Sequence, residues 1–232
     1  MTKYEFVANQ LADRINNNEF KYTKKIPTED QLMQEYNVSK NTIRNAIKIL
    51  RKLGLLYPVQ GSGMFIREIK KYDTIFLSGT RGITKDHPGT HIENKCLHIE
   101  VIEADEKIAQ FMLCEQGTPI YYIERLRIVD EVPYAVEYTY YNKNIIHYLN
   151  KEIVESSIYQ YIKEDLKLTF GFADKYISAR KLTERESELL KLQKDDPAII
   201  IEDNVYLANG TLFNSSQITY NYQLAHFFMT AE

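Results

Sequence analysis

The chain has 232 residues, of which 44% are hydrophobic and 12% aromatic, and its formal net charge is −3. This composition excludes a disordered or low-complexity protein. No run of 18 apolar residues predicts a membrane span, so we expect a cytoplasmic protein with no membrane partner. Residues 1–72 carry 13 Lys and Arg against 7 Asp and Glu, whereas residues 73–232 carry 16 against 25. This division indicates that only the N-terminal region binds a polyanion.

The N-terminal region predicts three helices followed by a β-hairpin. Hydrophobic spacing predicts helices over residues 4–18, 28–37 and 39–53, and Gly54 ends the third helix. Residues 55–68 return as a hairpin whose tip, Gln60-Gly61-Ser62-Gly63, has little bulk. Thr28 and Gln31 have the spacing of a capping box. Ser39 has the position of a cap that accepts a hydrogen bond from the backbone N–H of Thr42.

The third predicted helix has two opposite faces. Its apolar stripe consists of Ile43, Ala46, Ile47, Leu50 and Leu53. Its cationic stripe consists of Lys40, Arg44, Lys48 and Arg51. A helix with a packed back and a cationic front suits the major groove of DNA, so the pattern favours a winged helix-turn-helix. The alternative is an ordinary amphipathic helix pair with a solvated charged face.

Residues 26–66 resemble the N-terminal domain of GntR-type bacterial transcription regulators, and they follow the family pattern without a gap. The resemblance implies binding to double-stranded operator DNA. The positions that face DNA in the family are held here by Ser39, Lys40, Thr42, Arg44 and Gly63. Neighbouring positions complete the predicted contact set: Thr28, Asn41, Lys48, Gln60 and Gly61. Two residues depart from the family, because Asp30 replaces a frequent Arg and Lys40 replaces a common Arg.

After a short charged segment, the pattern changes from helical spacing to strand alternation. Strands are predicted over residues 97–104, 120–129, 134–141, 167–182, 198–207 and 211–220. Helices are predicted over residues 105–113, 158–166 and 184–192. Asn209-Gly210 is the strongest hairpin signal of the chain. Helices that interrupt a mostly antiparallel sheet predict an α+β fold.

This second region resembles the UTRA ligand-sensing domain of the HutC-like branch of GntR regulators. The resemblance is carried by residues 79–86, 123–137, 156–159 and 209–220. It implies a chorismate-lyase-like fold, a homodimer formed through these domains, and a small-molecule effector bound on the sheet. The predicted organisation is a DNA-binding domain over 1–68, a linker over 69–73 and an effector-binding and dimerisation domain over 74–232.

Arg125 and Arg127 lie two residues apart on one predicted strand, so both guanidinium groups point to the same face of the sheet. Two like charges repel unless an anion or a carboxylate lies between them, and Glu137 on the paired strand offers partial compensation. We interpret the pair as an anion site for phosphate. The other phosphate-binding positions are Gly82, Ile83, Thr84 and Ser157. The alternative is a surface cross-strand charge cluster without a ligand.

The resemblance also assigns positions that read the rest of the ligand. Glu137, Tyr159 and Tyr220 match positions that bind hydroxyl groups or a sugar face in relatives that sense phosphorylated sugars. Asn214 stands where many relatives carry Glu, and an amide both donates and accepts, so we expect a different hydroxyl pattern. The predicted protein is a repressor that is released by a small anionic metabolite such as a sugar phosphate.

No cofactor and no metal site is predicted. His87, His91, Cys96 and His98 lie close in sequence, but their spacing matches no zinc template. No catalytic motif is present, so we do not expect an enzyme. Two alternatives remain: activity like that of chorismate lyase, with the arginine pair holding a dicarboxylate substrate, and a DNA-binding dimer that responds to no effector.

Overall fold

A computed structural model describes residues 2–68, 74–77 and 91–230. They form two compact units. The N-terminal unit contains residues 2–68 together with 76–77 and 228–230, and the second unit contains 74–75 and 91–227. None of the helices in these ranges is long and apolar enough to cross a membrane.

Three helices and a hairpin form the N-terminal unit, as the sequence predicts. They are α1 (Lys3–Asn16), α2 (Glu29–Tyr36), α3 (Lys40–Lys52), β1 (Leu56–Val59) and β2 (Gly63–Ile66). The first helix ends two residues before its predicted end at residue 18. The reason is local, since Asn18 has a φ of 59°, a left-handed conformation that ends an α-helix.

Hydrogen bonds at the helix starts confirm the predicted caps. The Thr28 hydroxyl accepts from the Gln31 N–H at 3.3 Å, and the Gln31 side-chain oxygen accepts from the Thr28 N–H at 2.9 Å. Ser39 Oγ accepts from the Thr42 N–H at 3.3 Å. Asn37, in the turn between α2 and α3, has a φ of 50°, a conformation that Asn tolerates better than most residues. The caps and the turn therefore fix where α3 begins.

The core of the N-terminal unit joins all three helices and the hairpin. Its buried members are Val7, Ala8, Leu11, Phe20, Ile26, Leu32, Ile43, Ala46, Ile47, Leu50 and Leu56. Four of the five residues of the predicted apolar stripe of α3 are among them. Their burial turns the opposite, cationic side of α3 toward solvent.

The second unit is built on a six-stranded antiparallel sheet with the spatial order β4-β5-β6-β9-β8-β7. The strands are β4 (Ile92–Glu103), β5 (Pro119–Val129), β6 (Val132–Asn142), β7 (Phe170–Lys181), β8 (Pro197–Leu207) and β9 (Leu212–Asn221). The helices are α4 (Glu106–Phe111), α5 (Lys151–Glu155), α6 (Ile158–Glu164) and α7 (Glu184–Leu190). Two further strands, β3 (Thr74–Phe76) and β10 (His226–Phe228), pair with each other.

Strand register defines two faces of the sheet. We call one the arginine face; it carries Arg125, Arg127, Glu137, Asn214 and Tyr220. We call the other the tyrosine face; it carries Tyr122, Tyr138 and Tyr140. Residues of α5 and α6 pack on the arginine face through a core that includes Tyr141, Val154, Ile158, Ile162 and Phe213. The predicted α+β fold is confirmed.

Three elements of this unit differ from their prediction. β4 begins at Ile92, before the predicted start at residue 97. A bulge between Cys96 and His98 breaks the strict alternation of its side chains, so the alternating pattern did not extend to the first part of the strand. The short helix α5 was not predicted. Neither was the β3–β10 pair, whose strands have only three residues each. Segments this short carry too few residues to establish a period.

On the tyrosine face, Glu186 anchors α7 to the sheet. Its two carboxylate oxygens accept from Arg180 at 2.7 Å each, and one also accepts from the Thr219 hydroxyl at 2.7 Å. The other oxygen accepts from the N–H and hydroxyl of Thr183, which caps the helix. Burial raises the pKa of Glu186, but these hydrogen bonds outweigh it and lower the pKa to about 2.

Candidate DNA-binding and effector sites

The cationic side of α3 is exposed, as the predicted DNA-binding face requires. Lys40, Asn41, Arg44 and Lys48 are all exposed, while Ser39 and Thr42 lie at the helix start, 3.0 Å apart through their hydroxyl oxygens. The Arg44 side chain is 62% exposed. Side chains on this face can therefore reach base edges and phosphates together.

Two acidic residues at the start of α2 approach these cations. Arg44 Nε lies 3.1 Å from Glu29 Oε2. Lys40 Nζ lies 3.8 Å from Glu29 Oε2 and 3.7 Å from Asp30 Oδ1. Sequence reasoning missed these pairs because the partners lie on different helices, although the departure at Asp30 signalled a change in charge. Exposed pairs of this kind contribute little, about 0–1 kcal/mol, so a DNA phosphate can replace the carboxylate.

The hairpin β1–β2 supplies the predicted wing. Its tip is exposed from Gln60 to Gly63, and Gly61 and Gly63 have φ values of 72° and 104°. A Cβ at Gly63 would lie 2.9 Å from Lys25 Cε, so the wing and Lys25 are packed closely. Lys25 is therefore a further cation at the wing, and its distance in sequence hid it from the sequence analysis.

An open cavity with a volume of about 570 Å³ lies between α3 and β2. It is lined by Glu29, Arg44, Ile47, Lys48, Arg51, Lys52, Met64 and Thr230. Four of these eight residues are cations, so the cavity is concave and carries the positive charge that attracts the phosphate backbone of DNA. Thr28 is exposed at the cap of α2.

In the second unit, the predicted arginine pair and Glu137 form one buried cluster. Arg125 donates to Glu137 Oε2 from Nε at 3.0 Å and from Nη2 at 2.6 Å. Arg127 Nη2 donates to the same oxygen at 2.8 Å. Two guanidinium groups thus share a single carboxylate oxygen. The three residues form a cross-strand cluster, but it is buried rather than on the surface, since Arg125 and Glu137 are each 4% exposed.

The cluster carries one positive charge in excess. Burial raises the pKa of Glu137, but the charges of Arg125 and Arg127 outweigh it and hold that pKa below its usual value. Burial lowers the pKa of Arg127, while Glu137 and hydrogen bonding raise it above its usual value. Glu137 and Arg127 therefore stay charged near neutral pH, and the net charge of the cluster attracts an anion.

Backbone and amide groups hold the two arginines from the sides. Arg125 Nη1 donates to the Val154 carbonyl at 3.1 Å. Arg127 Nη1 donates to Asn94 Oδ1 at 3.2 Å, and Asn94 Nδ2 donates to the Ser156 carbonyl at 3.3 Å. Ser157 follows directly and caps α6 by accepting from the Gln160 N–H at 3.3 Å. The start of α6 is thereby linked to the arginine cluster through Asn94.

Tyr159 and Asn214 also meet on the arginine face. The Tyr159 hydroxyl donates to Asn214 Oδ1 at 3.1 Å. Asn214 Nδ2 donates to Thr139 Oγ1 at 2.7 Å and to the Tyr140 carbonyl at 3.1 Å. Because both amide hydrogens are used within the protein, Asn214 fixes the position of the Tyr159 hydroxyl. That Asn214 changes the hydroxyl pattern read by the site remains a prediction.

Tyr220 and Arg127 lie on the two strands that flank β6, and Ala135 on β6 is the register partner of both. Burial raises the pKa of both Tyr159 and Tyr220. Their hydroxyl groups are therefore neutral and can donate as well as accept. The remaining predicted effector contacts, Gly82, Ile83 and Thr84, lie outside the described residues.

The same face holds a charged pair that the sequence analysis did not identify. Lys175 on β7 and Asp203 on β8 are register partners, and the ammonium donates to Asp203 Oδ2. Burial raises the pKa of Asp203, although Lys175 opposes this. The sequence does show a charged residue in each of these two predicted strands. Their pairing depends on the strand register, which the sequence alone does not give.

Comparison with known proteins gives two family matches. Residues 3–66 match the model of bacterial regulatory proteins of the gntR family, and residues 87–224 match that of the UTRA domain. The transcriptional regulator YydK from Bacillus subtilis is 33% identical over 100% of this chain and 98% of its own length. Its crystal structure matches with a TM-score of 0.82 at 32% identity, covering 100% of both chains.

Two further relatives are regulators as well. GmuR from Bacillus subtilis is 32% identical over 93% of this chain and 92% of its own length. The mannosyl-D-glycerate transport/metabolism system repressor MngR from Escherichia coli is 28% identical over 94% of this chain and 91% of its own. Both are named as transcription regulators, which favours regulation over activity like that of chorismate lyase.

Proposed function

Because the chain belongs to the GntR family of bacterial transcription regulators and carries a UTRA domain, we propose that it is a repressor released from operator DNA by a small anionic metabolite. The observation that carries the proposal is the buried cluster of Arg125, Arg127 and Glu137, which holds one excess positive charge. Burying an uncompensated charge destabilises a protein, so the cluster favours an anionic ligand that balances it.

For DNA, the proposed contacts are the exposed residues of α3 and the wing tip. One such domain neutralises few phosphates and binds weakly at physiological salt, so we propose a homodimer that binds two half-sites. The proposed domain organisation is that of the sequence analysis, with DNA binding by residues 1–68, a linker at 69–73, and effector binding and dimerisation by residues 74–232.

For the effector, we propose a phosphate or carboxylate group beside Arg127, with Ser157, Tyr159 and Tyr220 as further contacts. A phosphorylated sugar has this chemistry. The name of MngR, a relative that covers nearly the whole chain, refers to mannosyl-D-glycerate, in which a sugar is joined to a carboxylate. This relative supports the general class, a sugar that carries an anionic group.

Release from DNA follows from the way a dimer must fit its two half-sites. Both DNA-binding domains must fit their half-sites at once, so a small rotation of one domain forfeits much of the bivalent advantage. In the proposed mechanism, the anion binds β5 and α6 together and favours the arrangement in which the half-sites are not matched. The effector therefore needs higher affinity for the released state than for the DNA-bound state.

The variant Arg127→Ala tests the proposal. It removes the excess charge and leaves the Arg125–Glu137 pair intact, so we expect a folded protein that binds operator but is not released by inducer. The measurement is inducer titration of a preformed protein–operator complex, with inducer identified by thermal-shift screening of phosphorylated sugars and sugar acids.

Lys194→Ala is the matched control, because Lys194 is a surface cation of the same unit, 63% exposed and 3.7 Å from Glu184. This control should respond as the wild type does. If Arg127→Ala releases DNA at the wild-type inducer concentration, the arginine pair is structural. If no small anion releases the wild type, the protein is a DNA-binding dimer that responds to no effector of this class.

A further inference from the structure

Asp203 has a carboxylate oxygen that the protein leaves unused. Its Oδ2 accepts from the Lys175 ammonium. Its Oδ1 is buried and has no hydrogen-bond partner among the residues that the structure describes. The residue is only 8% exposed. A buried charged oxygen without a donor is costly, and native proteins rarely keep one without a use for it.

Strand register places Asp203 on the arginine face. Asp203 on β8 is the partner of Ser216 on β9, and Ser216 is the partner of Thr139 on β6. Thr139 lies two residues after Glu137, so its side chain shares a face with Glu137. The strands β5 and β8 are three spacings apart, about 14 Å, so Asp203 lies across the face from the arginines.

The two charged clusters of the arginine face act on the same groups. Besides burial and Lys175, the charge of Glu137 raises the pKa of Asp203. The pKa of Tyr159 is raised first by burial and then by the charges of Asp203 and Glu137. Tyr159 is therefore influenced by both clusters, which share the arginine face by register.

Among the described residues, the amide side chain near the register partner of Asp203 makes its hydrogen bonds elsewhere. Asn214, two residues along β9 from Ser216, uses both amide hydrogens on Thr139 and Tyr140. Its oxygen is occupied by the Tyr159 hydroxyl. Asn214 therefore makes its hydrogen bonds elsewhere, and Asp203 Oδ1 is left able to accept one from a bound molecule.

We propose that Asp203 Oδ1 accepts a hydrogen bond from a hydroxyl group of the effector, at the end of the ligand opposite to its anionic group. This inference rests on the proposed anion site and names the ligand class, a polyhydroxylated anion. Phosphate or acetate alone is too small to bridge three strand spacings. A ligand ammonium is disfavoured because the Lys175 ammonium already lies against the same carboxylate.

Isothermal titration calorimetry of the full chain tests the assignment. The probes are inorganic phosphate, hexonic acids, and hexose 6-phosphates with their deoxy forms, each lacking one hydroxyl. We expect at least one hydroxylated anion to bind the wild type about tenfold or more tightly than phosphate, because hydrogen bonds to charged groups are the strong ones. One deoxy form should lose that advantage.

The decisive variant is Asp203→Ala combined with Lys175→Met, which keeps the net charge of the face unchanged. It should bind the hydroxylated anion about 10- to 100-fold more weakly, while phosphate affinity stays within about twofold. The variant should also bind the deoxy and the complete ligand equally. Arg127→Ala, in contrast, should weaken the binding of every anion. Lys194→Ala should leave the binding of every anion unchanged.

Each other outcome overturns the assignment. If the wild type binds phosphate but no hydroxylated anion more tightly, or if the double variant keeps wild-type affinity, Asp203 reads no hydroxyl although the anion site stands. If the wild type binds no anion at all, the proposed function fails as well. Should thermal unfolding show that the double variant does not fold, Asp203→Leu combined with Lys175→Met answers the same question, since leucine retains most of the volume and has no acceptor.

Discussion

Arginine–glutamate pairs occur in both units of the protein, but they differ in how far their side chains are exposed to water. The side chains of Arg44 and Glu29 in the N-terminal unit are 62% and 32% exposed, whereas those of Arg125 and Glu137 are 5% and 6% exposed. The exposed pair can open at little cost, so a phosphate can replace Glu29. In the buried cluster, the loss of Glu137 would leave two arginines without a counter-charge. The same chemistry thus makes an exposed, replaceable contact on one unit and a buried, fixed cluster on the other.

The largest effect should follow from Glu137→Gln. The amide keeps the shape of the side chain but leaves Arg125 and Arg127 buried without a counter-charge, which costs about 3–5 kcal/mol of folding free energy. Urea unfolding of the full chain, followed by circular dichroism, measures the loss. Glu29→Gln is the control at the exposed pair and should change stability by less than about 1 kcal/mol. Equal stability of the two variants would mean that water reaches the Arg125–Glu137 cluster in solution.

A somewhat smaller effect is expected at Glu186, where a buried carboxylate pairs with a partly exposed arginine. Its pKa of about 2 lies below the ordinary value of 4.5. A lowered pKa stabilises the folded state above pH 4.5, and the contribution is lost as the pH falls toward 2. Glu186→Gln should therefore cost about 2–3 kcal/mol at pH 7. Unfolding measured from pH 7 to pH 3 should show the difference from wild type shrinking below pH 4.5. A constant difference would contradict the lowered pKa.

The comparison of the two units also shows what the sequence can predict. Helix α3, its cap at Ser39 and its two stripes depend on spacing within a few residues, and they were predicted. The same holds for Arg125 and Arg127, because alternate residues of a strand share a face. These features are local, so neighbouring residues in the chain determine them.

Contacts between distant segments were not predictable in the same way. Glu29 and Asp30 approach α3 only after two helices have packed, and Lys175 meets Asp203 only through the register of β7 and β8. The bulge in β4 shifts its alternation by one residue, which hides the first part of the strand. Register and helix packing are set by the whole fold, and no short pattern records them.

An effect of about 1–3 kcal/mol is expected for Arg44→Ala on operator binding. The side chain is exposed and paired only at the surface, so the fold should be unchanged. Fluorescence anisotropy at fixed salt, with an operator selected from random duplexes, gives the affinity. Lys21→Ala, at an exposed cation outside α3, is the control and should bind as the wild type does. Equal affinity of both variants would remove α3 from the DNA interface.

The smallest effect should come from Asp30→Arg, which restores the charge that the family resemblance leads one to expect there. The Asp30 side chain is 80% exposed and its Oδ1 lies 3.7 Å from Lys40 Nζ, so it weakens the field of a cation that is proposed to contact DNA. The substitution should tighten operator binding by up to about 1 kcal/mol and steepen the salt dependence by about 0.9 per half-site, because one more phosphate is neutralised. Asp13→Arg makes the same change in charge on α1 and serves as the control for a general effect of net charge. If Asp30→Arg weakens binding instead, the carboxylate accepts a hydrogen bond from a base, as Asp does from cytosine, and the departure at this position contributes to operator specificity.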